Sequence, residues 1–393
     1  MGRKRRMPGL IYRDGKWHVD KQVKEFGRLC ESTGTAQLED AERFLVHRLE
    51  EIRQAQVYGI RPRRVFAEAA TEYLQRYRLK RSIERDARDL KELVAYIGEV
   101  PLERVHSGSF DKFKADGMKR GLSTGTINRA LSIGRRVLNL SASLWRDEHG
   151  LSWLLTAPKI ELLPNLDKRV PYPLSLDEQR LLFSELPSHT AEMALFAVNS
   201  GCREQEVCRL KWSYEVWVPE IDARVFVIPH NFGGRTVLSG VKNKMDRLVV
   251  LNTVAESVVK AQEGRHAEFV FTYPGRYGNS ERKPVTKVYN TAWKKARERA
   301  ATRYEMEFGR KCPDGFKSIR VHDLKHSFGR RLRAAGVSLE DRQDLLGHKS
   351  ARITTEYSCA EIGSLIEAAN RVTRKISRKS PAISAVRLAG VRN

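Results

Sequence analysis

Four residues near the C-terminal end of the chain have types and spacings that could perform chemistry. His322, Lys325 and His348 precede Tyr357 at successive spacings of 3, 23 and 9 residues. A tyrosine hydroxyl is a poor nucleophile at neutral pH unless neighbouring groups assist it. Cationic or proton-carrying side chains near one tyrosine indicate a phosphodiester target, because charge must be neutralised as the hydroxyl attacks phosphorus.

His322, Lys325 and His326 lie at positions i, i+3 and i+4 of a predicted helix start. Residues at this spacing share one helix face, so all three can point into one site. His326 is expected to support the other two from behind or to belong to the core.

A second group of residues lies upstream, between Asn199 and Trp212. Gly201 would allow a turn close to a ligand, and Arg203 can present two parallel N–H donors to a phosphate. Glu206, about one helical turn further on, could hold that guanidinium in place. The alternative is an ordinary Arg–Glu pair on a helix, which contributes only ~0.3 kcal/mol.

Together these stretches resemble the tyrosine recombinases, the phage-integrase family. The family's C-terminal box reads H-x-x-R, then L-L-G-H, then a tyrosine nine residues later; here L-L-G-H ends at His348 and Tyr357 follows. The family's first box reads T-G-x-R-x-x-E-x-x-x-L-x-W, and the matching residues are Gly201, Arg203, Glu206, Leu210 and Trp212. One cation departs, because Lys325 stands where the family has arginine.

The resemblance implies a role for each matching residue. Tyr357 would attack the scissile phosphate while Arg203 and Lys325 hold its oxygens. His322 would bond the phosphate or assist proton transfer, and His348 would donate to a non-bridging oxygen.

The segment from Gly240 to Leu251 resembles the family's β-hairpin, commonly T-K-x-x-K-x-R-x-V-P-L. Lys242 fits the position that protonates the leaving 5′ oxygen, a role that suits lysine because burial beside other cations lowers its pKa. Lys244, two residues further on, is the alternative. Lys244 and Arg247 are expected to contact DNA, and a hairpin that touches only the DNA backbone is the competing interpretation.

Lys325 allows three interpretations, because lysine offers a point charge where arginine offers a planar fork. The three are a working cation with adjusted geometry, a slow enzyme that needs accessory proteins, and a protein that only binds DNA. Arg330 and Arg331 are not expected to replace it, since they lie roughly 140° or more around the helix from Lys325.

The composition limits the partners of the chain. In 393 residues, 72 Lys and Arg stand against 48 Asp and Glu, giving a net charge of +24 and a pI of about 10.0. Such a balance is typical of proteins that bind nucleic acid or anionic membranes. No apolar run approaches the roughly 20 residues of a membrane span, and the basic start has no apolar stretch of a secretory signal behind it. The five scattered cysteines form no C-x-x-C pair, which predicts reduced thiols and no metal site.

Residues 1–60 are predicted to form a small DNA-binding domain of three strands and one helix. Asp14-Gly15 is a strong hairpin signal, and apolar residues recur at helical spacing over 38–58, with Thr35 as the expected N-cap. Basic strand residues would meet phosphates, although a mere folding cap is the alternative. The residues expected to do so are Arg13 and Lys16.

Residues 65–158 are predicted to be all helical, with a long helix from about Thr124 to Trp145. Its basic residues are expected to lie along DNA, or alternatively to form a solvated face. They are Arg129, Arg135 and Arg136. A proline-rich linker at 158–173 leads to a mixed catalytic domain over 172–373, which opens with a capping box at Ser175–Glu178. A basic tail, 374–393, follows.

The sequence therefore predicts a multidomain α+β protein: a three-stranded sheet with a helix, an all-helical core-binding domain, and a mostly helical catalytic domain with a small antiparallel sheet. The resemblance implies a prophage or genomic-island integrase that integrates and excises a mobile element through a 3′-phosphotyrosine intermediate. It implies a homotetramer on double-stranded DNA with core and arm sites, possible DNA-bending proteins, no cofactor and no metal. The expected location is the cytoplasm of a bacterium, at the nucleoid.

Three alternatives share part of this pattern. A Xer recombinase shares the catalytic boxes but usually lacks a sheet domain like that predicted for residues 1–60. A type IB topoisomerase shares the chemistry without sequence specificity. A DNA-binding accessory protein without catalysis is favoured only by Lys325.

Overall fold

The computed structural model describes residues 7–232, 246–274, 282–348 and 358–373. The chain divides into two compact units, Met1–Lys168 and Arg169–Asn393, and each has hydrophobic cores of its own. Both contain helices and antiparallel strands, so the expected multidomain α+β class is confirmed. The boundary between the units lies inside the proline-rich segment 158–173, and both domains expected before it fall in the first unit.

The first unit contains three strands and five α-helices within its described residues. In chain order they are β1 (Leu10–Arg13), β2 (Lys16–Val23), β3 (Gly27–Ser32), α1 (Leu38–Tyr58), α2 (Phe66–Arg76), α3 (Ile83–Ile97), α4 (Asp111–Lys119) and α5 (Thr124–Ser143).

The strands of the first unit form an antiparallel sheet in the order β1-β2-β3. Arg13 pairs with Lys16 across the predicted hairpin, and Asp14 and Gly15 both have positive φ, 52° and 78°. Turns of this kind match the twist of the paired strands. Leu10, Val19 and Leu29 point from the sheet into a small core shared with α1.

Helix α1 occupies the range that the apolar spacing predicts, but its start differs from the expectation. The N-cap is Gln37 rather than Thr35. The backbone N–H of Gln37 donates to Oγ1 of Thr35 at 3.1 Å. The threonine hydroxyl therefore closes the turn before the helix, and the N-cap prediction was wrong by two residues.

Helices α2 to α5 surround a separate core. Trp145, Phe66, Tyr73 and Phe110 are its largest fully buried side chains. Helix α5 begins at Thr124 as predicted, because Oγ of Ser123 caps it by accepting from the N–H of Thr126.

The second unit contains the remaining strands and α-helices within its described residues. In chain order they are α6 (Leu176–Glu185), α7 (Ser188–Ser200), α8 (Glu204–Cys208), β4 (Glu215–Val218), β5 (Ala223–Ile228), β6 (Arg247–Val250), α9 (Thr253–Lys260), β7 (Thr272–Tyr273), β8 (Lys283–Pro284), α10 (Thr291–Phe308), α11 (Asp314–Lys317), α12 (Val321–Ala334), α13 (Leu339–Leu345) and α14 (Cys359–Asn370).

The second unit opens with the predicted capping box. Oγ of Ser175 accepts from the N–H of Glu178 at 3.2 Å, and Oε2 of Glu178 accepts from the N–H of Ser175 at 2.9 Å. Two orphan donors at the start of α6 are thereby satisfied.

The sheet of this unit has the order β4-β5-β6, all antiparallel. These three strands form the small antiparallel sheet that the sequence predicts for the catalytic domain. One face packs on a large core that includes Phe196, Phe271 and Trp293. A second core, between the sheet and helices α12 to α14, contains Phe328 and Leu332.

None of the helices in the described ranges combines the length and apolar character that crossing a lipid bilayer requires.

Candidate active site

The first sequence box lies at the junction between α7 and α8. Helix α7 ends at Ser200, and Gly201 reverses the chain with φ of +64°. A Cβ atom on Gly201 would lie 2.8 Å from Cδ1 of Phe328, so the close approach of α12 also demands glycine. This turn delivers Arg203 as the N-cap residue of α8.

Glu206 holds Arg203 through both its side chain and its backbone. Nη1 of Arg203 donates to Oε1 of Glu206 at 2.8 Å, and the backbone N–H of Arg203 donates to Oε2 at 2.8 Å. Nη2 of Arg203 also donates to the carbonyl of Gly347 at 3.2 Å. Glu206 is only 2% exposed. This is a buried anchor for the guanidinium rather than an ordinary pair on a helix surface.

Arg247, which the sequence predicts to contact DNA, lies behind the Arg203–Glu206 pair. It is 4% exposed and donates to the Glu206 carboxylate. Nη2 of Arg247 also donates to the carbonyl oxygens of Gly201 at 3.1 Å and Leu345 at 3.2 Å. The prediction of a DNA contact is therefore corrected: strand β6 turns this side chain inward, and it joins the first box to the second.

Helix α12 carries the histidines and the lysine of the C-terminal box. The helix starts where Oδ2 of Asp323 accepts from the N–H of Arg320 at 2.8 Å. Arg169 donates to the same carboxylate with two bonds, at 2.7 and 3.1 Å. Burial alone would raise the pKa of Asp323, but the bonds from Arg169 and from backbone N–H groups lower it below its ordinary value. The first turn of α12 is thus anchored, and the next turn directs its basic face toward Arg203.

Lys325 is almost completely enclosed at 4% exposed, and its Nζ donates to the carbonyl of Leu346. Burial, assisted by the charges of Arg247 and Arg203, lowers the pKa of Lys325 to about 7, while Glu206 acts in the opposite direction. The amine therefore changes its charge within the physiological range.

The second box follows α13. Gly347 has φ of +56°, and a Cβ atom there would lie 2.5 Å from Nε of Arg247. The backbone N–H of His348 donates to the carbonyl of Gln343 at 2.9 Å, which holds the residue at the end of this turn. The glycine in L-L-G-H is therefore required by the buried guanidinium packed against it.

These residues meet at one cavity of about 1000 Å³. Of the residues predicted to be catalytic, Arg203, His322, Lys325 and His348 line it, together with His326. Lys242, Lys244 and Tyr357 lie outside the described residues, as does the tail 374–393.

The three histidines of the cavity share one electrostatic environment. Burial is the main cause that lowers the pKa of His322, His326 and His348, and the nearby charge of Lys325 lowers each further. The rings of His322 and His326 meet edge to face, with centroids 4.9 Å apart. Near neutral pH these imidazoles are mostly uncharged and can donate one N–H each.

Three arginines that the sequence analysis did not select also line the cavity: Arg330, Arg333 and Arg342. Two of them extend the stripe of α12 begun by His322 and His326, at spacings of four and three residues. That periodicity was visible in the sequence. It was missed because Arg330 was compared only with Lys325, from which it lies roughly 140° around the helix. Measured from His326, Arg330 is only roughly 40° away.

The basic residues predicted to bind DNA in the first unit are all exposed: Arg13, Lys16, Arg129, Arg135 and Arg136. Two of them have partners within the protein. Arg129 forms a two-bond fork with Asp89, at 2.8 and 3.1 Å. The guanidinium of Arg136 lies 5.3 Å from the ring centroid of Tyr77. Arg129 would have to share or release its carboxylate in order to bind a phosphate.

Comparison with known proteins agrees with this geometry. Residues 175–361 match the model of the phage integrase family. The integrase of Salmonella phage P22 is 24% identical over 254 residues, which cover 62% of this chain and 58% of that protein. The tyrosine recombinase XerC of Xanthomonas campestris pv. campestris (strain B100) is 25% identical over 304 residues, 74% of this chain and 82% of that protein.

Two solved structures share the fold. The Tn1549 transposon integrase in complex with a circular intermediate DNA superimposes with a TM-score of 0.55 at 15% identity, covering 77% of this chain and 94% of that one. A lambda integrase dimer bound to a COC′ core site gives a TM-score of 0.50 at 14% identity, covering 98% and 100%. Residues 175–361 are therefore similar to the phage integrase family, and the chain shares the fold of two solved integrases.

Proposed function

We propose that this chain is the integrase of a mobile element, a prophage or genomic island, which it inserts into and excises from DNA. Tyr357 attacks the scissile phosphate, forming a 3′-phosphotyrosine bond and releasing the 5′ oxygen, to which Lys242 gives a proton. The 5′-hydroxyl of the partner duplex then attacks the phosphotyrosine and reverses the step. The roles of Tyr357 and Lys242 rest on the sequence boxes.

The observation that carries the proposal is the convergence of Arg203, His322, Lys325 and His348 on one cavity. A guanidinium anchored by a buried carboxylate is a preorganised donor for phosphate oxygens. The neutral histidines add N–H donors without adding charge. Such a set stabilises the negative charge that develops on phosphorus, and its positions are fixed before the substrate arrives.

The same arrangement explains how the reaction could proceed without an energy source. The phosphotyrosine bond conserves the energy of the phosphodiester, so rejoining needs no nucleotide hydrolysis. The fixed cations do the work of charge neutralisation, which is consistent with the proposal that neither a metal nor a cofactor takes part.

We assign the exposed basic residues of the first unit to DNA binding. Arg13 and Lys16, on the hairpin, would contact arm-type sites, whereas Arg135 and Arg136 on α5 would contact the core site. Binding two sites with one chain raises the effective affinity. Four protomers on two duplexes, assisted by DNA-bending proteins, would assemble the reaction in the bacterial cytoplasm.

A Xer-type recombinase is the second candidate, because the XerC match covers 74% of this chain. The three-stranded sheet and α1 of the first unit speak against it, since on our proposal they are an additional domain that binds arm-type sites. The two candidates differ in their substrate: one recombines the ends of a mobile element, the other a chromosomal site.

Covalent trapping tests the proposal. Purified protein is incubated with nicked duplexes that cover the DNA flanking its own gene, and adducts are resolved on a denaturing gel. We expect a shifted band with the wild type and with Lys325→Arg, and none with Tyr357→Phe.

The other outcomes are equally informative. An adduct with Lys325→Arg but not with the wild type would mean that the natural site needs a helper. Tight binding without an adduct from either protein, on duplexes chosen from a genome-wide binding map, would contradict catalysis and leave a DNA-binding accessory protein.

A further inference from the structure

The charges behind the cavity are unbalanced in the free protein. One buried carboxylate, Glu206, accepts hydrogen bonds from the guanidinium groups of both Arg203 and Arg247. The third cation of the cluster, Lys325, has only the carbonyl of Leu346 as a hydrogen-bond acceptor among the described residues. Two arginines cannot lose their protons, so any relief of the excess positive charge must come from the lysine.

We propose that Lys325 is largely a neutral amine in the free enzyme at mildly alkaline pH and takes up a proton when a phosphodiester enters the cavity. Phosphate binding and protonation of the site are then one coupled event. The inference deepens the proposed function, because it takes the phosphodiester to be that of the DNA substrate.

Every element packed around Lys325 contributes groups that act on its charge. Its own helix, α12, supplies two histidines, and the segment after α13 supplies a third. The junction before α8 supplies one cation and a thiol, α8 itself supplies the single carboxylate among the described residues, and β6 supplies a second cation. These groups are His322, His326, His348, Arg203, Cys202, Glu206 and Arg247.

The balance of these groups favours the neutral amine until an anion arrives. Enclosure at 4% exposure and two guanidinium charges oppose protonation, and the carboxylate that favours it is already shared by those same guanidiniums. The pKa of Lys325, lowered from its ordinary value to about 7, agrees with this balance. A phosphate in the cavity adds the missing negative charge next to Nζ, and this raises the pKa of the bound state.

The sign of the pH dependence follows by linkage. Because the bound state holds one proton more than the free state, the affinity for the phosphate falls as pH rises above about 7. The loss is up to about tenfold per pH unit until the raised pKa of the bound state is reached. An arginine at this position would remove the effect, since it stays protonated throughout.

Site-resolved amine labelling tests the free state directly. The full chain is treated with trace acetic anhydride between pH 6 and 11, and the modification of Lys325 is read by mass spectrometry. We expect half-maximal reactivity near pH 7, and a shift upward by more than one pH unit when a duplex from the DNA flanking the gene is bound. A midpoint at the ordinary value of 10.5 in the free protein, or no shift with the duplex, would overturn the inference.

Calorimetry decides the case in which the amine is too enclosed to react at any pH. The same duplex is titrated at pH 8 in buffers of different ionisation enthalpy, which counts the protons taken up. We expect the wild type to take up close to one proton more per bound protomer than Lys325→Arg, which keeps the histidines. Equal uptake would refute the coupling.

The two proposals fail in different ways. If the enzyme is not a recombinase, the trapping assay gives no Tyr357 adduct whatever the midpoint of Lys325 is. If Lys325 is permanently charged, adducts form normally while the labelling midpoint stays near its ordinary value.

Discussion

Replacing Arg247 with methionine removes a buried guanidinium and leaves an apolar side chain of similar length in its place. Arg247 donates to the Glu206 carboxylate and to the carbonyl oxygens of Gly201 and Leu345. The substitution therefore cuts the link between the first box and the second. Arg203 keeps its own bonds to Glu206, so the carboxylate is not left without a partner.

These contacts set the size of the expected effect. Removing one partner of a buried ion pair typically costs about 3–5 kcal/mol, chiefly because the remaining charge is uncompensated. Glu206 retains Arg203, which reduces the loss, whereas the two buried carbonyl oxygens each lose a charged donor at about 1–3 kcal/mol. We expect the free energy of unfolding of the second unit to fall by about 3 kcal/mol.

The matched control is Arg180→Met, which breaks an Arg–Glu pair in the same unit. Arg180 and Glu307 are 50% and 42% exposed, and such surface pairs contribute about 0–1 kcal/mol. Unfolding in urea, followed by peptide-resolved hydrogen exchange, would report both units in one experiment. The first unit serves as an internal reference.

A loss of less than about 1 kcal/mol for Arg247→Met would refute the structural role. A large drop in DNA affinity with unchanged stability would restore the original prediction, in which Arg247 contacts DNA. We expect the reverse, a loss of stability without a loss of phosphate contacts. The salt dependence of the DNA affinity of the folded protein should therefore change little.

Two further perturbations probe the supports of the site. Gly347→Ala should destabilise the second unit clearly more than Gly336→Ala in urea unfolding. Both glycines have positive φ, but only at 347 would the new Cβ meet another group, 2.5 Å from Nε of Arg247; equal losses would show that the contact is unimportant. Asp323→Asn should lower the free energy of unfolding by about 2 kcal/mol at pH 7. Because the pKa of Asp323 is lowered on folding, this difference should be full above about pH 4 and disappear as pH falls further; a difference that does not vary with pH would contradict it.

The local elements were largely predictable because their signals are short in range. The Asp14-Gly15 turn, the apolar spacing of α1 and the Ser175 capping box each depend on a few neighbouring residues. The N-cap of α1 shows the limit of such rules. Thr35 has the right side chain, but its hydroxyl bonds the N–H of Gln37 and closes a turn before the helix begins.

The residues that line the cavity were largely predictable from the sequence, but the buried residue that supports them, Arg247, was not. Sequence boxes bring Arg203, His322 and His348 to attention, and the structure places them around one cavity. The sequence boxes do not indicate which basic residues of a hairpin point into the protein. Arg247 lies two residues before Val249, which is a core residue. Residues two apart in a strand point to the same face of the sheet, so both side chains point inward. That signal was present and was outweighed by the general expectation that a basic hairpin meets DNA.

The position of Arg247 also gives a physical reason why a lysine can stand at position 325. With Arg203 and Arg247 already sharing Glu206, a third guanidinium would add a permanent charge to an enclosed cluster that holds one carboxylate. Lysine avoids this cost in the free protein, because it can release its proton to solvent and regain it when phosphate supplies the counter-charge. The departure from the family pattern at Lys325 is therefore consistent with a working site whose charge adjusts to its substrate, and it need not indicate a decayed one.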